Sequence, residues 1–344
     1  MRAVACTRRL PIDDPAAFQD LTLPLPEPGP RDVRVRIEAI SVNPVDAKLR
    51  APRPADAGAV ESPPQILGFD AAGVVEAVGP EVSLFQPGDE VYHAGDVTRP
   101  GSNAQYQLVD ERLAAPKPTT LDFAGAAALP LTALTAWELL FERMPFDFDA
   151  EDNRRSLLVL GGAGGVGSIA IQLARLAGFT VIATASRART QDWCRAMGAH
   201  HVVDHRQPLP PQLLALGFEN VDAALNLADT DRYWDVLGEL LAPQGHVGLI
   251  VEPAGPLRIG DLYKAKCIGI HWEFMFARSR YRTDDMIRQH RILARVGSLV
   301  EAGRLRTTLT EVLGPINATN LREAHRRLES GTTVGKLVLS GWAP

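Results

Sequence analysis

The chain has 344 residues, 46% of them apolar and 6% aromatic, which is more than one domain usually holds and enough to bury two cores. Its 36 Lys and Arg against 41 Asp and Glu leave a formal charge of −5, which excludes the clustered basic face that nucleic acid requires. The N-terminus MRAVACTRRL lacks an apolar core of signal-peptide length, no run approaches the ~18–20 apolar residues of a membrane span, and Cys6, Cys194 and Cys267 are too scattered for a disulfide framework or a C-x-x-C zinc knot. Reduced, buried thiols and a cytoplasmic location are therefore expected.

Residues 1–127 read as short strands divided by turns. AVAC begins the first, and VRVRIEAISV (33–42), DAAGVVEAVG (70–79), DEVYHAG (89–95) and AQYQLVDE (104–111) follow, with Gly-Pro, Pro-Gly and Pro-Pro pairs between them. The stretch APRPADAGAVESPPQ (51–65) has no periodicity and reads as a surface excursion or as a flap over a site. From about residue 130 strands and helices alternate. Strands are expected at LLVL (157–160), TVIAT (180–184), HHVV (200–203), VDAALN (221–226), HVGLI (246–250) and KCIGI (266–270). Apolar runs alternating with amphipathic helices imply an α/β architecture with a parallel sheet covered on both faces, and six strands suit a doubly wound dinucleotide fold. A helix over 283–303 follows, with Thr283 as N-cap and Gly303 at its end, then a strand, a helix over 318–330 and a last strand GKLVLS. REAHRR (322–327) reads as the solvated face of that helix. This tail is too short to fold alone and is expected to complete the first domain, giving 1–127 with 276–344 as one domain and 128–275 as the other.

In LLVLGGAGGVGSIAIQLA (157–174), Gly162, Gly164 and Gly167 spell G-x-G-x-x-G directly after a strand and at a helix start. The first glycine permits the tight turn, the second lets a pyrophosphate approach bare backbone, and the third lets helix pack on strand. The phosphates would sit at the helix N-terminus, where free N–H groups and the dipole favour anions. No Lys-Ser/Thr follows the last glycine, so a nucleoside triphosphate is disfavoured. A dinucleotide remains. NAD sites usually carry an acidic residue about 20 residues on for the ribose 2′-hydroxyl. Here no acidic residue lies between Gly167 and Asp192, and the turn after TVIAT offers Ser186, Arg187 and Arg189. A hydroxyl and two guanidinium forks suit a 2′-phosphate, so NADPH is expected.

With NPVDAKLR (43–50), GFDAAGVVEAVGPEVSLFQPGDEV (68–91) and AAALPLTALTAWELL (126–140), the chain resembles the medium-chain dehydrogenase/reductase superfamily over essentially its whole length, and within it the zinc-free quinone oxidoreductases and the branch often labelled zinc-type alcohol dehydrogenase-like. The resemblance implies a GroES-like catalytic domain formed from both chain ends, a Rossmann domain between them, and an active site in the cleft. It also implies departures from the zinc enzymes. Their ligand positions fall at Asn43, at Phe69 (with Asp70 beside it) and near Thr132, their proton-relay hydroxyl falls at Val45, and their structural-zinc lobe is missing. Amide and hydroxyl oxygens do not replace two thiolates and an imidazole, so no metal site is expected.

The same resemblance assigns Thr135 to the nicotinamide end and Ala163, Gly164, Gly165 and Val166 to the pyrophosphate loop. It places His205 beside the adenosine phosphate and puts Asn226 and Ile250, in the GLIVEP segment, at strand ends where ligands bind. Asn43 is expected to hydrogen-bond near the nicotinamide and the substrate carbonyl. Tyr92 and His93 are candidate proton donors with an equal claim to plain packing roles, and Asp46 reads as a structural acceptor. The expected function is metal-free, NADPH-dependent reduction of a quinone or another α,β-unsaturated carbonyl by hydride transfer. The alternatives are an NADPH-binding sensor with vestigial catalysis and, less favoured, a zinc alcohol dehydrogenase. An apolar sixth strand left open would expose unpaired backbone, and related reductases pair it across a two-fold axis, so a homodimer is expected.

Overall fold

The computed structural model describes residues 1–52, 60–150 and 153–342. It divides into one unit of Met1–Leu131 with Phe276–Pro344 and a second of Thr132–Met275. In chain order the first unit supplies β1 (Arg2–Arg8), β2 (Gln19–Thr22), β3 (Asp32–Ser41), β4 (Val60–Gln65), β5 (Ala71–Val78), β6 (Glu90–His93), β7 (Tyr106–Asp110) and β8 (Ala114–Pro116). The second supplies β9 (Ser156–Leu160), β10 (Thr180–Thr184), β11 (His201–Val203), β12 (Val221–Asn226), β13 (Leu241–Leu249) and β14 (Gly269–Trp272), and the chain returns with β15 (Leu309–Val312) and β16 (Lys336–Ser340).

The second unit is a six-stranded sheet in the order β11-β10-β9-β12-β13-β14. Every pairing in it is parallel. This is the doubly wound Rossmann arrangement that the alternating pattern implied. The central β9 reads SLLVL without alternation because both faces are covered, and Leu157 to Leu160 have no exposed surface. Each such side chain contributes about 1.5–3 kcal/mol of burial. On one face Leu158, Ile182, Leu213 and Leu237 pack with Trp234 and Tyr263, whose rings stack at 4.1 Å. The helix Gly165–Leu176 buries Ile169, Ala170, Ile171, Leu173 and Ala174.

The first unit holds a sheet in the order β15-β16-β3-β5-β6-β8, with β7 also paired to β3, while β1 pairs β2 and β4. β16, from the chain's end, runs antiparallel to β3 with Val338 opposite Ser41 and Ser340 opposite Ala39. The C-terminal segment therefore belongs to the same GroES-like sheet as the N-terminal strands.

Four expectations need correction. The sixth strand is Gly269–Trp272, not 266–270, because Lys266 still closes the turn of the helix Leu262–Ala265 and Cys267 takes a positive φ of 52°. Cys267 is also exposed, whereas Cys6 and Cys194 are buried. Thr283 does not cap the long helix: its hydroxyl donates to Asp285 at 2.6 Å, and the helix runs Ile287–Glu301. Within 51–65, residues Val60–Gln65 form β4 against β1; the flap expected over the rest falls on 53–59, outside the described residues. Among the described residues one helical run, 123–143, is long and apolar enough to cross a membrane by composition, and 89% of its most apolar window is buried inside the protein.

Candidate functional site

The glycine turn joins β9 to the helix Gly165–Leu176. Gly164 is the N-cap and has no side chain to close the helix end, so the first N–H groups of that helix face outward without a capping oxygen. A Cβ at Gly167 would lie 2.4 Å from the Gly161 carbonyl oxygen, which forces glycine where the helix crosses the strand end. A Cβ at Gly164 would meet nothing nearer than that carbonyl at 3.4 Å, so the space before the turn is open. Gly162 is buried, and Ala163, Gly164, Gly165 and Val166 are half-buried. Bare, uncapped backbone with room in front of it fits a pyrophosphate.

Ser186, Arg187 and Arg189 follow β10. Ser186 is half-buried and both arginines are exposed, with Arg187 at the N-cap of the helix Ala188–Ala196. Sequence reasoning missed a further cation: the Arg206 guanidinium donates to the Ser186 carbonyl at 2.6 Å while paired with Asp204. His205 is half-buried beside it, and its pKa is lowered by burial and by the Arg232, Arg206 and Arg187 charges, with Asp204 opposing. Arg206 had no signal in the sequence, because only the parallel pairing of β10 with β11 brings it to Ser186.

Thr135 is buried in the helix Pro130–Glu138. Asn226 is buried at the end of β12, and its side chain shapes the following turn: its amide donates to the Asp229 carbonyl at 2.9 Å and its oxygen accepts from Ala228 and Asp229. Ile250 is half-buried directly after β13.

In the GroES-like unit three strand ends converge. β16 pairs with β3 up to Val338 opposite Ser41, the Lys336 side chain at its start reaches Asn43 just past β3, and Asp70 leads into β5, its carbonyl accepting from the Ser41 amide at 3.1 Å. The buried Lys336 ammonium donates to the Val42 carbonyl at 2.9 Å, to Asp70 Oδ2 at 2.8 Å and to Asn43 Oδ1. Asn43 Nδ2 donates to Asp70 Oδ2 at 2.8 Å and more weakly to the Phe69 carbonyl at 3.4 Å. The other Asp70 oxygen accepts from the Leu131 amide at 2.7 Å. Burial raises the Asp70 pKa, and Lys336 opposes that rise.

Asp46 stands beside this network as the expected acceptor, taking the Asn43 amide at 2.7 Å and the Gly68 amide at 3.0 Å. Burial pushes its pKa up to about 7 against those two bonds and the Lys336 charge, a rise with no sign in the residues around it along the chain. Gly68 has φ 112°, and a Cβ there would strike the Ser102 hydroxyl at 2.5 Å.

Two candidate proton donors are not placed for that task. Tyr92 is fully buried with its hydroxyl donating to the Leu293 carbonyl at 2.7 Å, and burial raises its pKa far above the ordinary range. His93 is buried with neither ring nitrogen partnered, and burial lowers its pKa to about 3, so it is neutral.

The zinc-ligand positions carry no zinc chemistry. Phe69 offers carbon, the Asn43 oxygen faces an ammonium, and Thr132 is a buried hydroxyl. Among the described residues no group of three or more His, Cys, Asp or Glu is arranged to hold a metal. The donor set does not fit Zn²⁺.

The sequence reading also missed a buried triad in the second unit. Arg143 reaches Glu273 at 2.8 Å and Glu138 at 3.3 Å, and both carboxyls are fully buried. Burial, with the Glu138 charge adding to it, raises the Glu273 pKa well above the carboxylate range. One guanidinium facing two carboxyls leaves a proton on the pair.

Residues 29–119 match the alcohol dehydrogenase GroES-like domain and residues 197–339 match the zinc-binding dehydrogenase family. A zinc-type alcohol dehydrogenase-like protein of Staphylococcus epidermidis is 39% identical over 341 residues, covering 99% of each chain. A chloroplastic quinone oxidoreductase of Triphysaria versicolor is 27% identical over 94% of each chain. A solved structure from Rhizobium etli CFN 42, provisionally described as a zinc-dependent alcohol dehydrogenase, superposes with a TM-score of 0.93 at 48% identity, covering 100% of this chain and 99% of that one. The chain belongs to the medium-chain dehydrogenase/reductase superfamily, among its zinc-type alcohol dehydrogenase-like proteins.

Proposed function

We propose that this oxidoreductase uses NADPH to reduce a quinone or another α,β-unsaturated carbonyl, without a metal. The observation that carries the reading is the Asn43–Asp70–Lys336 network, which engages Asn43 and Asp70, two positions where the resemblance puts zinc-site residues in the alcohol dehydrogenases. When bound, the nicotinamide would supply the hydride, and the proton that completes the reduction would come from solvent. The chain's own residues bind the phosphates at the uncapped glycine turn, gather cations near Ser186 for a 2′-phosphate, and offer the Asn43 amide to the oxygen on which charge develops. The second Asn43 N–H is held only by the 3.4 Å contact to Phe69, so it is the one free to turn to a substrate oxygen. A hydrogen bond polarises a carbonyl less than a Lewis acid does, which favours acceptors that are already electron-poor.

Alcohol oxidation would need a base for the hydroxyl proton. Val45 carries no relay hydroxyl, Tyr92 donates to the Leu293 carbonyl, and His93, its pKa lowered by burial to about 3, is a poor base. A screen of NADPH consumption with quinones, enones and aldehydes tests the reading: turnover is expected with the first two. Absence of turnover with every quinone and enone refutes it.

The assembly expected is a homodimer in the cytoplasm. Ile270 and Trp272 on edge strand β14, and Phe274 just after it, are exposed, and among the described residues no strand pairs with the outer edge of β14.

A further inference from the structure

The sequence treats GKLVLS as a closing strand, but its first strand residue sits in the middle of the candidate site. Lys336 is 3% exposed and lies 293 positions along the chain from Asn43. An ammonium has three N–H donors and no acceptor, and here all three are engaged: on Val42, Asn43 and Asp70. Nothing remains for a substrate, so Lys336 is not a catalytic residue. What it does is fix its neighbour. An amide side chain can be turned end for end at little steric cost, and its orientation is set by the groups around it. With an ammonium on one side and a carboxylate on the other, Asn43 has one arrangement: oxygen to Lys336, nitrogen to Asp70. The ammonium on the oxygen also draws charge from the amide and makes its N–H groups stronger donors.

Building on the reductase reading above, we infer that Lys336 is the positioning residue of the site: a fixed internal cation that orients and polarises Asn43 so that its spare N–H meets the oxyanion formed during hydride transfer. Removing a fixed charge from such a place costs the transition state more than the bound substrate. The loss is greatest for acceptors that depend most on the donor. A quinone develops its charge into a stabilised aromatic system, whereas a simple enone leans on the hydrogen bond.

Lys336→Met alone leaves Asp70 buried without its cation and can fail to fold. The informative protein is therefore the charge-neutral pair Asp70→Asn with Lys336→Met, measured beside Lys336→Arg and the wild type. Steady-state kinetics with NADPH are run on a simple quinone and a simple enone, and cofactor binding is followed by NADPH fluorescence. The double variant is expected to lose about tenfold or more in kcat on the enone and severalfold less on the quinone, with KM and NADPH affinity little changed. Lys336→Arg should recover part of the enone rate. A double variant that keeps the wild-type kcat on both acceptors, or loses the same factor on both, overturns the inference and leaves Lys336 a structural residue. A wild type that reduces neither acceptor overturns the inference together with the reductase reading.

Discussion

At the scale of single residues, the site is decided by which polar atoms are already engaged. Asn43, Asp46, Asp70 and Lys336 are all buried, and each is satisfied by the others or by backbone. Asn43→Ala removes the amide that faces the developing charge, so kcat should fall by about tenfold to a hundredfold with a smaller change in KM, read from quinone or enone kinetics. Asp46 adds a pH dependence. Its pKa rises from 3.8 to about 7 on folding, so between those values the folded state holds a proton that the unfolded chain has released. Stability contributed by this group is present below about pH 4 and is lost as pH rises to about 7. The thermal midpoint of the wild type should decline over that window, and Asp46→Asn should flatten the decline; an unchanged slope in the variant would remove Asp46 as its source.

At the scale of elements, the glycine turn was legible because each of its constraints is local. Strand β9, the G-x-G-x-x-G run and the helix after it are contiguous, so composition and spacing alone carried the motif. The cofactor-discriminating turn was legible only in part: Ser186, Arg187 and Arg189 are contiguous with β10, but Arg206 comes from the neighbouring strand's end and needs the parallel pairing to be known. Asn226 was placed correctly at its strand end, yet its side chain closes a turn. The Lys336 contact was invisible for the same reason on a larger span. Hydrophobic periodicity finds strands, but it does not say which strand lies beside which, and the β16–β3 pairing joins opposite ends of the chain.

Two measurements belong at this scale. Gly167→Ala puts a Cβ 2.4 Å from a carbonyl oxygen and must push the helix start away from the strand. Dinucleotide affinity should drop by at least about tenfold, given that ~1.4 kcal/mol is one factor of ten. For the Arg187→Ala, Arg189→Ala pair, loss of exposed charge-assisted bonds should reduce the NADPH-over-NADH preference by roughly tenfold. Equal affinity for the two cofactors in the wild type would contradict the assignment.

At the scale of the whole molecule, the chain builds a dinucleotide fold and a GroES-like fold whose sheet is finished by the last strand. Truncation before Lys336 would therefore remove both a sheet strand and the cation of the candidate site. The exposed row Ile270, Trp272 and Phe274 belongs here too. Sedimentation at micromolar concentration should give a dimer, and Trp272→Lys should shift it toward monomer; a monomeric wild type would refute pairing through β14.

A lysine-anchored polar network engages Asn43 and Asp70, where the resemblance puts zinc-site residues, and is proposed to work without a metal. The most direct measurement is one pair of assays on protein whose zinc content has been determined: NADPH-dependent quinone or enone reduction, and NADP⁺-dependent ethanol oxidation, each with a chelator and with added Zn²⁺. The expected outcome is no stoichiometric zinc, reduction that is indifferent to both additions, and negligible ethanol oxidation throughout. About one tightly held zinc per chain, with ethanol oxidation that the chelator abolishes and Zn²⁺ restores, would contradict it.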